Sequence, residues 1–446
     1  MRFTVFIFLF FSCLRFQGQE SSAFQFIKPN QKNVKLKFEL YNNLIIIPVE
    51  LNGVSLNFLL DTGIDKTLLI ALGAKDSLDL EIEKKVSIVG LGKEDEFEAF
   101  QSINNNMKIG NIANSNQTVY FVLDKNNELS SRIGLPVNGF IGYDFFKDFV
   151  VKINYKRKEI TLYDPNQFNK KLRWYNKLPM QFYKNKPYVT AKAKDSTIAN
   201  PLVNLMLDLG SSSGFWLFES DKINVPELHF EDVIGYGFSS LIRGKRSRIE
   251  KISLGKYDFD EPKIAYPDLT KFAKAESFEQ RDGSLGAEIL RRFTLFLDYQ
   301  SKQFYFRANS SLNDPYNYDM SGISVVNDGV KLIEEVIFVN LNSSPKQQED
   351  GSKNVINRLM VNMKVTNKII VDNVRDPSPA SEVGILPGDE IIKINGKYAG
   401  ELQLDKISSL LAEKEGKQVK IELLRGDKTL KIKFKLRDRL KDLVKD

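Results

Sequence analysis

The feature that most constrains this chain is an internal repeat. Asp208-Leu209-Gly210 follows the apolar run LVNLML and lies 147 residues after Asp61-Thr62-Gly63, which closes the apolar run FLL. Gly235-Tyr236-Gly237 lies 145 residues after Gly90-Leu91-Gly92, and Gly255, in ISLGKYDF, lies 145 after Gly110, in MKIGN. Gly283-Ser284-Leu285-Gly286 lies 144 after Gly139-Phe140-Ile141-Gly142, and the segment LDYQSKQFYF lies 144 after INYKRKEITLY. Five landmarks in one order at nearly one offset mark two copies of a single unit. An Asp-Thr-Gly triplet is common by chance, but a matching Asp-x-Gly at the equivalent place in a second copy is not.

Each copy reads as short strands. KLKFEL, LIIIPVEL and VSLNFLLDTG alternate or run apolar, and Asn52-Gly53 supplies a tight hairpin turn between the last two. Asp61 therefore leaves the end of a buried strand, where the following Thr-Gly bends the backbone sharply. VSIVGLGKEDEFEAF forms two arms around Gly90, Leu91 and Gly92, a hairpin pattern repeated around Gly235, Tyr236 and Gly237. A short helix is expected from Tyr143 and a closing hairpin around Lys156 to Lys158. The 32 Phe and the many β-branched residues favour strands over helices throughout.

Scarcities narrow the chemistry. With one Cys, Cys13, and one His, His229, the chain cannot assemble a Cys/His zinc cluster, a disulfide framework or a Cys-His dyad. His229 sits in the polar segment ELHFED without a nucleophile signature and reads as an exposed side chain. Catalysis must then rest on carboxylates, Lys, Tyr or Ser, with no metal and no cofactor expected. The formal charge of +7 is spread over 64 basic and 57 acidic residues, which describes a mixed solvated surface and not a nucleic-acid partner.

Met1-Arg2, the apolar residues 3–11 and Ser21-Ser22-Ala23 read as an export signal over residues 1–23. Cys13 offers a second processing point, lipidation after FFS, although Phe10 stands where a lipoprotein signal carries a small aliphatic residue. The expectation is an exported chain, periplasmic or extracellular, or an outer-membrane lipoprotein anchored at Cys13, with no transmembrane anchor.

Asp-Thr-Gly after a buried strand, a Gly-rich hairpin and a later hydrophobic-hydrophobic-Gly element resemble the aspartic protease family. The lobes resemble the compact retroviral-type branch, fused in one chain as in pepsins, over about residues 35–308. The resemblance implies a mainly β, bilobal double barrel with Asp61 and Asp208 facing each other as the catalytic dyad. It also implies that Thr62, Gly63, Gly210 and Ser211 support the active-site loops, and that Gly90, Leu91, Gly92, Gly235, Tyr236 and Gly237 form two flaps over an extended peptide. Two carboxylates about 3 Å apart cannot both ionise, so they share a proton and activate a water. Two departures stand out. Leu209 has no hydroxyl to return the cross-brace that Thr62 makes, and Ile64 replaces a small or hydroxyl-bearing residue. Losing a hydrogen bond to a carboxylate favours its neutral form, so a milder optimum than that of pepsins is expected.

Residues 310–318 are polar and Pro-containing and read as a linker. Beyond them, residues 376–397, DPSPASEVGILPGDEIIKINGK, followed by an amphipathic helix with Leu404, Ile407 and Leu411 and a hairpin about Arg425-Gly426-Asp427, closely resemble a PDZ domain. That likeness implies an α+β unit over residues 319–437 that binds a peptide as an added strand. Met320, Ser321, Gly322 and Ile323 would form its carboxylate-binding loop for a C-terminal peptide ligand. A polar run over residues 342–354 reads as an insertion. The expected organisation is a signal at 1–23, lobes at 24–168 and 169–309, a linker at 310–318, the PDZ domain at 319–437 and a frayed tail at 438–446. The expected function is an exported aspartic endopeptidase acting on peptides or unfolded proteins, its PDZ domain binding substrate or regulating access. A catalytically inactive peptide-binding protein of the same fold is the alternative, as is a PDZ-like cap that binds nothing.

Overall fold

The computed structural model describes residues 23–73, 77–89, 96–122, 128–237, 241–271, 280–340 and 357–444. The export-signal reading and Cys13, the Gly90, Leu91 and Gly92 flap tip and the insertion at 342–354 lie outside the described residues.

Repetition in sequence becomes repetition in topology. In the first lobe, Val54–Leu60 pairs antiparallel with Leu44–Leu51 and parallel with Gly139–Ile141. In the second, Leu202–Asp208 pairs antiparallel with Lys186–Lys194 and parallel with Gly283–Gly286. Each parallel partner is the hydrophobic-hydrophobic-Gly element, brought beside the strand that ends in the aspartate. Asn52 and Gly53 take the left-handed conformations, φ 46° and 87°, that the tight hairpin requires. The two sheets have nine and ten strands.

A third sheet of six strands joins the lobes. At its centre, Val150–Asn154 of lobe one pairs antiparallel with Phe293–Asp298 of lobe two, Ile153 opposite Leu295. These are equivalent segments of the repeat, so the local twofold passes between them. Ile153 and Leu295 are fully buried and belong to one apolar core that also contains Phe58 and Leu205. The lobes are thus one cooperative body rather than two beads.

Past residue 310 the chain does not run free. The guanidinium of Arg292, fully buried, donates to the carbonyls of Leu312 (2.8 Å) and Asp314 (2.6 Å). Arg248 donates to Tyr316 O at 2.8 Å, Lys263 to Asn317 O at 3.0 Å, and the Tyr318 hydroxyl to Ser247 O. The linker is bonded to lobe two along its length. The C-terminal segment differs from a frayed end for a related reason. Asp438 caps a short helix, Arg439–Leu443, and Leu440 is buried against Phe230 and Tyr318.

The C-terminal sheet runs Ile323–Asn340, Asn357–Val374, Glu390–Ile394, Gln418–Arg425, Lys428–Lys435, with Lys397–Tyr398 appended. Leu404, Ile407 and Leu411 of the Leu404–Leu411 helix are buried in its core, as their spacing predicts. Trp174 is 67% exposed, with the Arg173 guanidinium 5.1 Å from its ring centroid.

Arg292→Met leaves two linker carbonyls without donors. The expected cost is about 1–3 kcal/mol of unfolding free energy in urea, with faster proteolytic nicking within residues 310–318. An unchanged nicking rate refutes the fastening role of Arg292.

Candidate active site

The Asp61 loop is held from beneath, its amide donating to Ile141 O at 2.9 Å. Thr62 is buried and reaches across the lobe interface. Its Oγ1 donates to Leu207 O at 2.6 Å and accepts from Leu209 N at 3.0 Å. One hydroxyl therefore satisfies two backbone groups of the partner loop. Leu209 returns no hydroxyl, and its side chain is 1% exposed in the shared core. The missing half of the brace is replaced by apolar packing.

Both glycines sit where a side chain has no room. Gly63 N donates to Asp61 Oδ1 at 2.6 Å and Gly210 N to Asp208 Oδ1 at 3.1 Å. A Cβ on Gly63 would lie 3.0 Å from Asp61 Oδ1 and 3.3 Å from Asp208 Oδ1, and one on Gly210 only 2.2 Å from Asp61 Cγ. The carboxyl groups thus converge over the two loops, each lobe's glycine against the other lobe's aspartate.

Desolvation pushes Asp61 up to about 7, and the neighbouring Asp208 charge adds to this; the Gly63 amide, Lys186 and the Gly210 amide oppose it. Burial also raises Asp208, but Arg281, the amides of Ser211 and Gly210, and Lys186 pull it back. The positive charge of Arg281 favours the anion on the Asp208 side, and the two carboxyl groups titrate as one coupled pair. Arg281 is fixed by bonds to Gly283 O and Ser284 Oγ and lies over the Phe218 ring, 4.8 Å from its centroid. Neither Arg281 nor Lys186 stands out in the sequence. Arg281 lies two residues before the Gly283-Ser284-Leu285-Gly286 landmark, but only folding brings its charge and that of Lys186 to the pair.

The other nearby aspartates have structural partners. Asp144 accepts from Thr67 Oγ1 and Gln117 Nε2, and Asp282 from Asn204 N. His229, half-buried, is held by Pro226 O. Among the described residues no three His, Cys, Asp or Glu side chains gather as a metal-ligand set.

Gly235 and Tyr236 end the strand Phe230–Tyr236, paired with Leu241–Arg248 through a register shift between Val233 and Gly235; Gly237 follows. Trp216 packs with Ile234 and Ile242, and its ring fills the space where a Gly235 Cβ would stand. It supports the second hairpin from below.

The Met320 to Ile323 loop has its amides occupied. Met320 N donates to Leu411 O, Ser321 N and Gly322 N to the Asp319 carboxylate at 3.1 and 2.6 Å, and Ile323 N to Ser321 Oγ at 3.0 Å. The carboxylate these amides hold is the chain's own. A cavity of about 140 Å³ lies beside this loop, lined by Asp232, Tyr236, Lys263, Asp319 and Ser324, and neither Asp61 nor Asp208 reaches it.

Thr62→Val keeps the shape but removes both cross-lobe bonds. Loss of about 1–3 kcal/mol is expected in equilibrium unfolding, with Thr62→Ser retaining most of it; equal stability of all three proteins refutes the brace.

The family model described as aspartyl protease matches residues 47–145, and the one described as PDZ domain matches residues 342–436. Among curated proteins, the chain is 30% identical over 116 residues to "Carboxy-terminal processing protease CtpA" of Bacillus subtilis (strain 168), covering 26% of this chain and 21% of that protein. It is 35% identical over 72 residues to "Probable CtpA-like serine protease" of Staphylococcus haemolyticus (strain JCSC1435), covering 16% and 14%. The chain thus spans only about a fifth or less of these relatives' length. Among solved structures, the aspartic proteinase from Irpex lacteus is similar at a TM-score of 0.40 and 12% identity, covering 64% of this chain and all of that one. On a mainly β fold, the chain carries an aspartyl protease domain around Asp61 and a PDZ domain toward its C-terminus.

Proposed function

We propose that this chain is an aspartic endopeptidase whose Asp61 and Asp208 activate one water against a peptide bond. The observation that carries the reading is the convergence of two desolvated carboxyl groups on loops cross-braced by Thr62, with their proton affinities split. Ionised Asp208 takes a proton from the water as its oxygen adds to the scissile carbonyl carbon. Protonated Asp61 gives its proton to the carbonyl oxygen. The tetrahedral diol then collapses: Asp208 passes the proton it took from the water to the nitrogen, the C–N bond breaks and a neutral amine leaves, while one diol hydroxyl returns its proton to Asp61 and the carbonyl re-forms as a carboxylic acid. Gly235 and Tyr236 belong to a hairpin that covers an extended substrate, and its counterpart at Gly90, Leu91 and Gly92 has the same role. The substrate class is an unfolded or extended polypeptide, and the N-terminal signal pattern supports export as the site of action. No described helix is long and apolar enough to cross a membrane.

Cleavage of a denatured protein by the wild type, lost by about 10³-fold or more in both Asp61→Asn and Asp208→Asn, is the expected result. Activity in Asp208→Asn alone points to Asp61 pairing between two copies. No cleavage by the wild type favours the noncatalytic peptide-binding reading. Gly210→Ala, whose methyl displaces the Asp61 carboxyl, is expected to lower kcat/KM by about 100-fold without unfolding the chain.

Activity needs Asp61 protonated and Asp208 ionised. The alkaline limb of kcat/KM is therefore expected near pH 7, where Asp61 loses its proton. Linkage runs in the same direction. A carboxyl with a raised folded-state pKa favours folding at low pH, and that contribution is lost as pH rises through about 7. As pH rises from about 4 to about 7 the Tm of the wild type should fall while that of Asp61→Asn changes less, and above about 7 this contribution no longer varies with pH. Parallel curves for the two proteins exclude Asp61 as the titrating group.

A further inference from the structure

Resting on the reading of the C-terminal domain as a peptide-binding module, we propose that its groove is occupied by the protease's own Glu128–Ile133 helix, and that an internal extended peptide competes for the same place. In the C-terminal sheet, Ile323–Asn340 pairs on one side with Asn357–Val374 and stands at the end of the strand order. The Leu404–Leu411 helix packs alongside it. Edge strand and helix are the two walls between which a peptide adds as a further strand.

Lobe one touches both walls. The Glu128–Ile133 helix packs on Ile323–Asn340, and Gly134, at φ 86°, lies so close to Leu404 that a Cβ there would stand 3.1 Å from its Cδ1. Arg132 closes the contact, donating to Asp372 Oδ2 at 2.7 Å with both side chains less than a fifth exposed. The same guanidinium stacks 4.2 Å from the centroid of Tyr236, whose hydroxyl lies by Ser324 of the edge strand. One arginine therefore links lobe one, the second flap hairpin and the C-terminal domain.

The end of the groove that would hold a chain terminus is filled. All four amides of the Met320 to Ile323 loop are spent, two of them on Asp319. An incoming ligand gains nothing from a free carboxylate, so the groove suits an internal apolar stretch of an unfolded chain. Such a ligand must first displace a tethered competitor, which lowers its apparent affinity by the fraction of groove that is free. Displacement also takes Arg132 from Tyr236 and loosens the flap strand Phe230–Tyr236.

The test measures fluorescence anisotropy of a labelled peptide alternating Val and Thr, as free acid and as amide, on the full chain carrying Asp61→Asn so that nothing is cut. Arg132→Gln and Asp372→Asn are each expected to tighten binding by about tenfold without adding to one another. The two peptide forms should bind alike, and saturating peptide should speed amide exchange in Phe230–Tyr236. Unchanged or weaker binding in both variants, a free acid binding about tenfold tighter than the amide, or no binding to any variant overturns the proposal. Because binding is read without cleavage, these results are independent of whether the dyad is active.

Discussion

The structure depends on holding two half-buried carboxyl groups together where two loops meet. Desolvation and like charge both oppose that arrangement, and an unsupported pair would spread or ionise into solvent. The support comes from backbone. Thr62 fastens the partner loop with two bonds through one oxygen, and Gly63 and Gly210 allow the loops to approach until each amide reaches a carboxylate. The interlobe sheet beneath, with Val150–Asn154 against Phe293–Asp298, sets the distance at which this happens.

Symmetry explains the arrangement, and its exceptions explain why the surroundings of the two aspartates differ. A perfect twofold would give identical aspartates and no preference for which carries the proton. Here Leu209 is packed where a hydroxyl would be, and Arg281, whose counterpart position in the first lobe is Val137, places a positive charge by Asp208 alone. The sequence departures at Leu209 suggested a weakened site. The structure gives Leu209 a different place: its amide completes the Thr62 bridge and its side chain is in the core, so the asymmetry lies in electrostatics more than in a broken brace.

The C-terminal domain is joined to the protease more closely than its linker composition implied. Arg375 pairs with Asp232 of the Phe230–Tyr236 strand and lies over Phe230, while Leu440 is buried against Phe230 and Tyr318. Long polar segments such as residues 310–318 look disposable in a sequence because their side chains are hydrophilic. Their backbone carbonyls are equally good acceptors, and the buried Arg292 uses two of them.

Sequence by itself determined the duplication, the strand that ends in Asp61 and its partner at Asp208, the turn at Asn52-Gly53, and the helix containing Leu404, Ile407 and Leu411. Each of these depends on local periodicity or on a backbone conformation that few residues accept, and both are written in consecutive letters. Tertiary structure decided the rest: that Leu209 is a packing residue, that Arg281 and Lys186 act on the dyad, that Asp319 fills the Met320 to Ile323 loop, and that Arg132 meets Asp372 and Tyr236. These contacts join residues up to 240 positions apart. They follow from where the lobes and the last domain come to rest, and no local pattern of side chains encodes that.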